Sequence, residues 1–160
     1  MINFQKLRYK NFLSTGDVFT ELDLTKSEST LVVGQNGAGK STFLDALTFA
    51  LYNRPFRNIS KPQLVNSING KGLLVELEFH TGNQQVLVKR GIKPNVFQVL
   101  INGKEQNEMA NVRDQQTWFE RSVVQMDLTA FRQVVVLGSA NYIPFMQLPS
   151  MQRRQVIEDL

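Results

Sequence analysis

The sequence of 160 residues contains no cysteine and a single histidine, His80. The absence of cysteine excludes disulfide bridges and thiolate metal sites, and it is typical of a reducing compartment. With one histidine, neither a histidine-ligated metal centre nor a Ser-His-Asp triad is expected. No apolar run approaches the ~20 residues that span a bilayer, and the N-terminus lacks the apolar core of a signal peptide. These absences predict a cytoplasmic protein without a membrane partner.

The composition is that of an ordinary globular domain, with 42% apolar and 20% charged residues. The formal net charge of +4 is unevenly distributed, because the segment 79–104 contains no carboxylate. Its basic residues are Lys89, Arg90, Lys93 and Lys104. Two interpretations remain open: a solvated strand face that discourages strand pairing, or a contact surface for a phosphate backbone.

Hydrophobic periodicity predicts an α/β chain with an antiparallel middle. Alternating apolar residues predict strands at 2–10, 18–24, 73–79, 85–89 and 96–101, and Asn102-Gly103 is a strong hairpin signal. The continuously apolar segment Thr30–Val33 predicts a strand buried on both faces. Helical spacing predicts helices at 40–52, 111–124 and 149–160, and the run 134–137 predicts one more strand.

A phosphate-binding loop stands between the predicted buried strand and the first helix, because residues 34–41 fit G-x-x-x-x-G-K-[ST]. Glycines let successive backbone N–H groups approach phosphate oxygens, and the helix dipole favours the same anion. We expect Lys40 to reach the β- and γ-phosphates, the Ser41 hydroxyl to hold Mg²⁺, and Thr42 to contact the α-phosphate. The predicted residues for ATP are Gly34, Gln35, Asn36, Gly37, Ala38, Gly39, Lys40, Ser41 and Thr42.

The antiparallel segment 73–101 separates this chain from most P-loop classes. Small kinases and GTPases alternate strands with helices after the loop, whereas a mixed β lobe around a P-loop strand suits an ABC-type ATPase. A self-contained kinase or GTPase would also need an aspartate for Mg²⁺ at the end of an apolar strand, which the sequence lacks. A third alternative is a nucleic-acid-binding module whose loop holds backbone phosphate. The expected fold class is α/β: an ABC-type P-loop lobe with a mixed or antiparallel β-sheet around a P-loop strand and helix.

The sequence resembles the SMC-like DNA double-strand-break repair ATPases of the SbcC type, including their bacteriophage members, over essentially its full length. The segments that carry the resemblance are 10–12 (KNF), 34–42 (GQNGAGKST), 44–47 (LDAL), 64–67 (LVNS), 89–97 (KRGIKPNVF), 134–146 (VVVLGSANYIPFM) and 153–160 (RRQVIEDL). The resemblance implies a head split in two, with residues 1–148 as the N-terminal lobe and 149–160 as the start of a coiled coil.

The same resemblance implies the partners and the activity. These are a C-terminal lobe of the same ATPase, a second copy of the head joined by ATP, a metallophosphoesterase-type nuclease subunit and double-stranded DNA, in the host cytoplasm for a phage protein. The signature motif and the Walker B acid of the family are absent from this sequence. We therefore expect an ATPase only as a longer protein and an inactive 160-residue chain. The final helix also lacks a stop signal, which fits that expectation.

The resemblance assigns further site residues. It places Ser139 where most members carry the Q-loop glutamine that touches Mg²⁺, with Asn141 or Gln133 as alternatives, and Leu13 where many carry a basic residue. The segment that lines the adenosine in relatives corresponds to Asn66, Ser67 and Ile68. For these three the alternative is a helix end, with Asn66 and Ser67 as caps.

A second group of basic residues lies in the predicted loop 53–62, which contains no acid. Its members are Arg54, Arg57 and Lys61. A solvated loop is one interpretation, and contact with DNA or nucleotide is the other. Asp45 follows Lys40 by five residues on the predicted helix, so we expect its carboxylate to point away from the phosphates.

Overall fold

The computed structural model describes residues 2–106, 111–136 and 143–158, and the chain divides into two compact units, Met1–Glu108 and Met109–Leu160. The first unit is built on one antiparallel sheet, with strand order β2-β1-β3-β4-β5-β6. Its strands are β1 Ile2–Lys10, β2 Thr20–Asp23, β3 Leu73–Thr81, β4 Gln84–Ile92, β5 Val96–Ile101 and β6 Lys104–Glu105. The five strands predicted from alternation are confirmed.

Tight turns fix the register of the sheet. Thr81 pairs with Gln84 across the β3–β4 hairpin, and Ile101 pairs with Lys104 across the β5–β6 hairpin. The latter turns through Asn102 and Gly103 at φ 50° and 78°. Two positive φ values match the type I′ turn, whose twist suits antiparallel strands. The hairpin predicted at Asn102-Gly103 is therefore confirmed.

The helix that follows the phosphate loop, α1 (Thr42–Tyr52), packs against strands β1, β3 and β4. Every side chain from Asp45 to Tyr52 is buried, so the helix is covered on all sides in its second half. The segment after α1 adds the buried side chains of Pro55, Phe56 and Leu64. The predicted helix is confirmed, although Phe43 at its start is only half-buried.

The segment Thr30–Val33 is not a strand, which corrects the prediction. Leu31 and Val33 are 85% and 77% exposed, and no strand within 2–106 pairs with the segment. An apolar run becomes a buried strand only where neighbouring strands satisfy its backbone N–H and C=O groups. Nothing in the described residues supplies those neighbours.

The second unit is helical. Its elements are α2 Val112–Trp118, continued by a π-helical turn at Phe119–Val124, then α3 Leu128–Val134 and α4 Ser150–Glu158. Asn111 caps α2, because its side chain accepts a hydrogen bond from Asp114 N at 2.9 Å. The helix predicted at 111–124 is confirmed. No helix of the described residues is long and apolar enough to cross a membrane.

The strand predicted at 134–137 is wrong over its described part, because Val134 ends α3. Asp127 caps this helix by accepting from Ala130 N at 2.7 Å, and Val135 N still donates to Phe131 O at 2.9 Å. This local hydrogen bonding outweighs the β propensity of consecutive valines. Leu137 lies outside the described residues.

A small apolar cluster joins α3 and α4. Ala130, Leu148 and Val156 are buried together, with Met126 and Phe145 packed against them. Residues on both sides of the expected boundary at residue 148 thus share one unit. The division into a lobe at 1–148 and a coil from 149 stays a prediction.

Candidate nucleotide-binding site

The phosphate loop owes its path to two glycines. Gly37 and Gly39 have φ values of +85° and +87°, a region that L side chains rarely adopt. The loop closes on itself through a hydrogen bond from Ala38 N to Gln35 O at 3.2 Å. A residue with a side chain at either glycine would strain this path, so the loop requires the glycines that the motif supplies.

The loop leads directly into the N-terminus of α1. Thr42 N donates to Gly39 O at 2.9 Å, and Ser41 is the N-cap, although its hydroxyl makes no capping bond. No bond within residues 2–106 engages the backbone N–H groups of Gly39, Lys40 or Ser41. Free N–H groups at the positive end of a helix dipole form an anion site.

The cation of the loop is folded back over it. Lys40 Nζ donates to Gly34 O at 2.6 Å and to Gln35 O at 2.8 Å. An ammonium group has three donors, so one remains for a ligand while two hold the side chain across the loop. Lys40 is therefore placed over the same backbone that presents the free N–H groups.

A cleft of about 400 Å³ opens at the loop. Its lining residues come from the turn at 11–16, from the phosphate loop and from the segment after α1: Leu13, Ser14, Asn36, Gly37, Gly39, Lys40, Ser41, Thr42 and Arg57. Six of the nine phosphate-loop residues predicted for ATP thus line one cleft. Thr42 is buried, and Ser41 is exposed.

Buried asparagines hold the turn of Leu13 at the cleft. The Asn11 side chain donates to Asp17 Oδ1 at 2.8 Å and accepts from Asn69 Nδ2 at 2.6 Å. The Asn66 side chain donates to Leu13 O at 2.9 Å. Asn11 and Leu13 both have positive φ, of 51° and 52°. The side chains of the segment 66–69 therefore fix the wall of the cleft.

These contacts favour the capping alternative for Asn66. Its Oδ1 accepts from Ile68 N at 3.0 Å and from Asn69 N at 2.9 Å, within a turn that follows a 3₁₀ helix at Lys61–Leu64. Ser67 and Ile68 are exposed and do not line the cleft. A contact of these residues with adenosine stays a prediction.

Sequence reasoning missed the partnership of Asp45 with Arg57. Asp45 is fully buried, and its Oδ1 accepts from Arg57 N at 2.9 Å while its Oδ2 accepts from Arg57 Nε at 2.6 Å. A signal was available, since a carboxylate between apolar helix residues must find a cation or several donors. The acid-free loop after the helix supplies that cation.

Arg90 does not belong to an exposed basic surface, which corrects one predicted DNA contact. Its side chain is buried, 2% exposed, with its guanidinium carbon 3.7 Å from the centroid of the Phe97 ring. Arg90 Nε donates to Ala50 O at 3.1 Å, near the C-terminal end of α1. Burial, together with the nearby Arg90 charge, lowers the pKa of Lys61. Arg90 therefore makes its contacts with Phe97 and the end of α1 inside the protein and not with solvent.

The predicted lysine contacts of the segment 79–104 do not form one surface patch. Lys89 Nζ lies 3.7 Å from Glu76 Oε1 on the neighbouring strand, so its charge is partly balanced. Lys93 and Lys104 are exposed, but they flank opposite ends of β5, about 20 Å apart at the usual rise of a strand. Arg54 is exposed as well. The segment 79–104 contains no acidic residue, but folding places Glu76 of the neighbouring strand beside its Lys89.

The structure describes only some of the residues predicted to bind the metal ion. Ser139 and its alternative Asn141 lie outside the described residues, so the metal role of Ser139 stays a prediction. Gln133 donates from Nε2 to Ile143 O at 2.8 Å. In 2–106, 111–136 and 143–158, no cluster of three or more His, Cys, Asp or Glu side chains is arranged for a metal ion.

Comparison with known proteins identifies relatives over the whole chain. A family model described as an AAA domain matches residues 6–156. Exonuclease subunit 2 of Enterobacteria phage T4 is 46% identical, covering 100% of this chain and 29% of that protein; its counterpart in Escherichia phage RB69 is 45% identical, covering 97% and 27%. A DNA double-strand break repair Rad50 ATPase of Thermoplasma acidophilum is 24% identical, covering 97% and 17%. The chain spans less than a third of the length of these relatives.

Solved structures share the fold. A chain from work on ATP-driven dimerization and DNA-stimulated activation of SMC ATPases aligns with a TM-score of 0.64 at 19% identity, over 98% of both chains. The Smc head domain of Pyrococcus yayanosii gives 0.61 at 20% identity, over 99% of this chain and 32% of that one. The expected ABC-type P-loop fold is confirmed, apart from its unformed strand at 30–33. The family model, which matches residues 6–156, shows that the chain belongs to the AAA-domain family, and the proteins it is similar to include phage exonuclease subunits, Rad50 ATPases and an SbcC subunit.

Proposed function

We propose that the cleft binds ATP with Mg²⁺ and that the chain is the ATP-binding part of an ATPase for DNA double-strand-break processing and recombination. The observation that carries the proposal is the loop at the start of α1, where unengaged backbone N–H groups and Lys40 surround one cleft. This arrangement suits a polyphosphate, because dipole, donors and cation all favour negative charge at the same place.

The residues present also suit Mg²⁺. The Ser41 hydroxyl lines the cleft and makes no capping bond, so its oxygen is available to a hard cation that prefers oxygen ligands. Bound there, Mg²⁺ would neutralise phosphate charge. Lys40 stabilises the remaining charge and the backbone N–H groups orient the phosphates, which is the share of catalysis that this chain supplies.

We propose further activities for the complete protein, beyond the ATP binding proposed for this chain. Relatives are named as an exonuclease subunit and as a double-strand break repair ATPase. By analogy, two heads close on two ATP molecules, each completed by a C-terminal lobe, and this closure controls the access of DNA to a metallophosphoesterase-type nuclease subunit. For a phage protein, the place of action is the host cytoplasm.

A nucleotide titration tests the binding proposal against the alternative of a module that holds only backbone phosphate. The complete protein is titrated with ATP and with inorganic phosphate, each with and without Mg²⁺, by calorimetry. We expect ATP to bind far more tightly than inorganic phosphate. We also expect ATP to reach its full affinity only when Mg²⁺ is present. Equal, Mg²⁺-independent affinities for the two ligands would contradict the proposal.

Hydrolysis distinguishes a split head from a self-contained kinase or GTPase. None of the described residues that line the cleft carries a carboxylate, so none of them can act as the general base that activates water. We expect the 160-residue chain to hydrolyse ATP at the background rate, measured as released phosphate. Turnover by this chain that Lys40→Ala abolishes would show that the site is complete on its own.

DNA binding is proposed for the complete protein, with exposed lysines as contributors. Replacing Lys93 and Lys104 by glutamine removes at most two phosphate contacts, so the log–log salt slope should become less steep by up to about 2. Lys26→Gln, at an exposed lysine outside the predicted set, is the matched control. Affinity and slope at the wild-type values would place the DNA surface elsewhere.

A further inference from the structure

A buried cation from the sheet meets α1 at the end that lies opposite the phosphate loop. Arg90 of β4 is 2% exposed, and its Nε donates to Ala50 O at 3.1 Å. Ala50 belongs to the last turn of α1, where backbone carbonyls lack partners within the helix. The helix has no basic residue of its own in that turn, so Arg90 brings a positive charge to the negative end of the helix dipole.

Two aromatic rings enclose the guanidinium of Arg90. Its central carbon lies 3.7 Å from the centroid of the Phe97 ring and 6.0 Å from that of the Phe49 ring. Phe49 is itself a fully buried residue of α1, so Arg90 contacts the helix through a ring as well as through a carbonyl. Burying a charge is costly, and an apolar side chain of similar volume would fill this space without that cost. Packing alone therefore does not account for an arginine at this position.

The strand that carries Arg90 is a firm anchor. β4 lies between β3 and β5, and Arg90 pairs with Val75 on one side and with Phe97 on the other. The next residue, Gly91, packs so closely that a Cβ there would lie 2.9 Å from Leu73 O. The sheet thus fixes the backbone of Arg90 from both sides, and the bond from its side chain transmits this fixed position to α1.

Apolar packing by itself would leave α1 some freedom along its axis. The buried face of the helix consists mainly of aliphatic and aromatic side chains, and contacts between such groups are not directional. Packed helices can shift along their neighbours by about 1–2 Å. A hydrogen bond has a preferred length and direction, so the bond from Arg90 to Ala50 O opposes such a shift.

A shift of α1 would change the geometry of the cleft. The phosphate loop leads directly into the helix, so the N–H groups of Gly39, Lys40 and Ser41 would move with it. The opposite wall at Leu13 is held separately, by the side chain of Asn66. Hydrogen bonds weaken steeply with poor geometry, and a misplacement of about 1 Å is enough to impair a site. The position of α1 therefore decides how well the loop meets a phosphate chain.

We propose that Arg90 is a positioning residue of the nucleotide site, which fixes α1 along its axis and so aligns the N–H donors of the phosphate loop with the phosphates. The proposal rests on the proposed function, since it assumes that the cleft takes a nucleoside triphosphate. Arg90 itself does not touch the nucleotide, because α1 has 11 residues and is thus about 16 Å long. It acts through the helix, in place of the DNA contact that the sequence predicted.

The test compares Arg90→Met and Arg90→Lys in the complete protein. Calorimetry measures the affinity for Mg·ATP, and the phosphorus NMR shifts of bound Mg·ADP report the surroundings of the phosphates. Methionine fills the space of the arginine stem but cannot donate, so Mg·ATP should bind about fivefold more weakly, because the donors of the loop are misaligned and not removed. The phosphorus shifts should change as well. Arg90→Lys keeps the charge and a donor, so it should recover part of both effects.

Val88→Ala is the matched control for a purely structural effect. Val88 lies on the same strand and is fully buried, but its side chain has no donor for α1. Val88→Ala should lower the melting temperature, yet it should keep the wild-type affinity for Mg·ATP and the wild-type phosphorus shifts. If both variants weakened binding in proportion to their loss of melting temperature, the positioning role would be contradicted.

The outcomes separate this proposal from the function on which it rests. Wild-type affinity and phosphorus shifts in Arg90→Met, with binding weakened in Lys40→Ala, would overturn the role of Arg90 and leave the nucleotide site intact. Absence of Mg·ATP binding in the wild type would overturn both proposals.

A second pair of variants decides if Arg90→Met does not fold. These are Arg90→Lys and Phe97→Leu, the latter of which removes the ring that holds the guanidinium. Each should bind Mg·ATP more weakly than the wild type and should change the phosphorus shifts of bound Mg·ADP. Wild-type affinity and wild-type shifts in both would contradict the positioning role.

Discussion

On its C-terminal side the phosphate loop continues into α1, where every side chain from Asp45 to Tyr52 is buried. On its N-terminal side the loop follows Thr30–Val33, where Leu31 and Val33 are largely exposed. Both flanks are strongly apolar in sequence, yet only one has a surface to pack against. The loop therefore takes its support from the helix, and not from the segment that precedes it.

The largest expected contrast between the two flanks is in stability. Phe49→Ala in α1 should cost about 3–5 kcal/mol, because Phe49 is fully buried and packs against Phe12 with ring centroids 6.0 Å apart. Leu31→Ala, the matched apolar truncation on the other flank, should change the free energy of unfolding by no more than about 0.5 kcal/mol. Urea denaturation of the 160-residue chain measures both. A loss of more than about 2 kcal/mol in the free energy of unfolding for Leu31→Ala would contradict the difference between the two flanks.

A smaller effect is expected at the turn that forms the opposite wall of the cleft. Asn11→Ala removes side-chain bonds to Asp17, Gly72 O and Asn69, and it leaves alanine at a positive φ that asparagine tolerates better. The expected cost is about 1–3 kcal/mol in urea denaturation.

Asn36→Ala in the exposed loop is the matched control for Asn11→Ala, and it should leave stability in the absence of nucleotide unchanged. Equal costs for the two substitutions would mean that the turn is no better anchored than the loop. The wall at Leu13 would then not be preformed.

The smallest effect is a pH dependence at the same turn. Hydrogen bonds from the Lys10 ammonium and from the Asn11 amide lower the pKa of Asp17 below its ordinary value. Since the folded-state pKa is the lower one, the stabilisation is fully present above about pH 4 and is lost as the pH falls through the folded-state pKa. NMR titration of the Asp17 carboxylate measures that pKa. In Asn11→Ala it should rise towards the ordinary value, and no change would mean that Asn11 does not contribute.

The elements that the sequence predicted correctly are those whose signal is local. Alternating apolar residues predicted β1 to β5 of the sheet. Asn102-Gly103 predicted a hairpin because the turn needs two positive φ values, and the glycine spacing predicted the phosphate loop. Most of the residues that line the cleft could also be predicted from sequence, because they belong to one continuous motif.

The predictions that failed depend on which residues lie nearby in space. Apolar periodicity at 30–33 cannot reveal whether partner strands are present, and the valines after Gln133 do not reveal that Asp127 starts a helix. The acid-free stretch 79–104 hid the ion pair of Lys89 with Glu76 on the next strand, and Arg90 was counted as surface although it is buried. The ion pair of Arg57 with Asp45 was missed because the carboxylate lies twelve residues earlier in the chain.

The central claim, that the loop before α1 is a nucleotide site, is tested most directly by the affinity of Lys40→Ala for Mg·ATP. Calorimetry on the complete protein should show binding weakened by about 2–3 kcal/mol, or roughly 30- to 150-fold, because a charge-assisted contact to the phosphates is lost. The melting temperature without nucleotide should not change, since Lys40 contacts only carbonyls of its own loop in the described bonds. Wild-type affinity in a Lys40→Ala protein that melts normally would contradict the account.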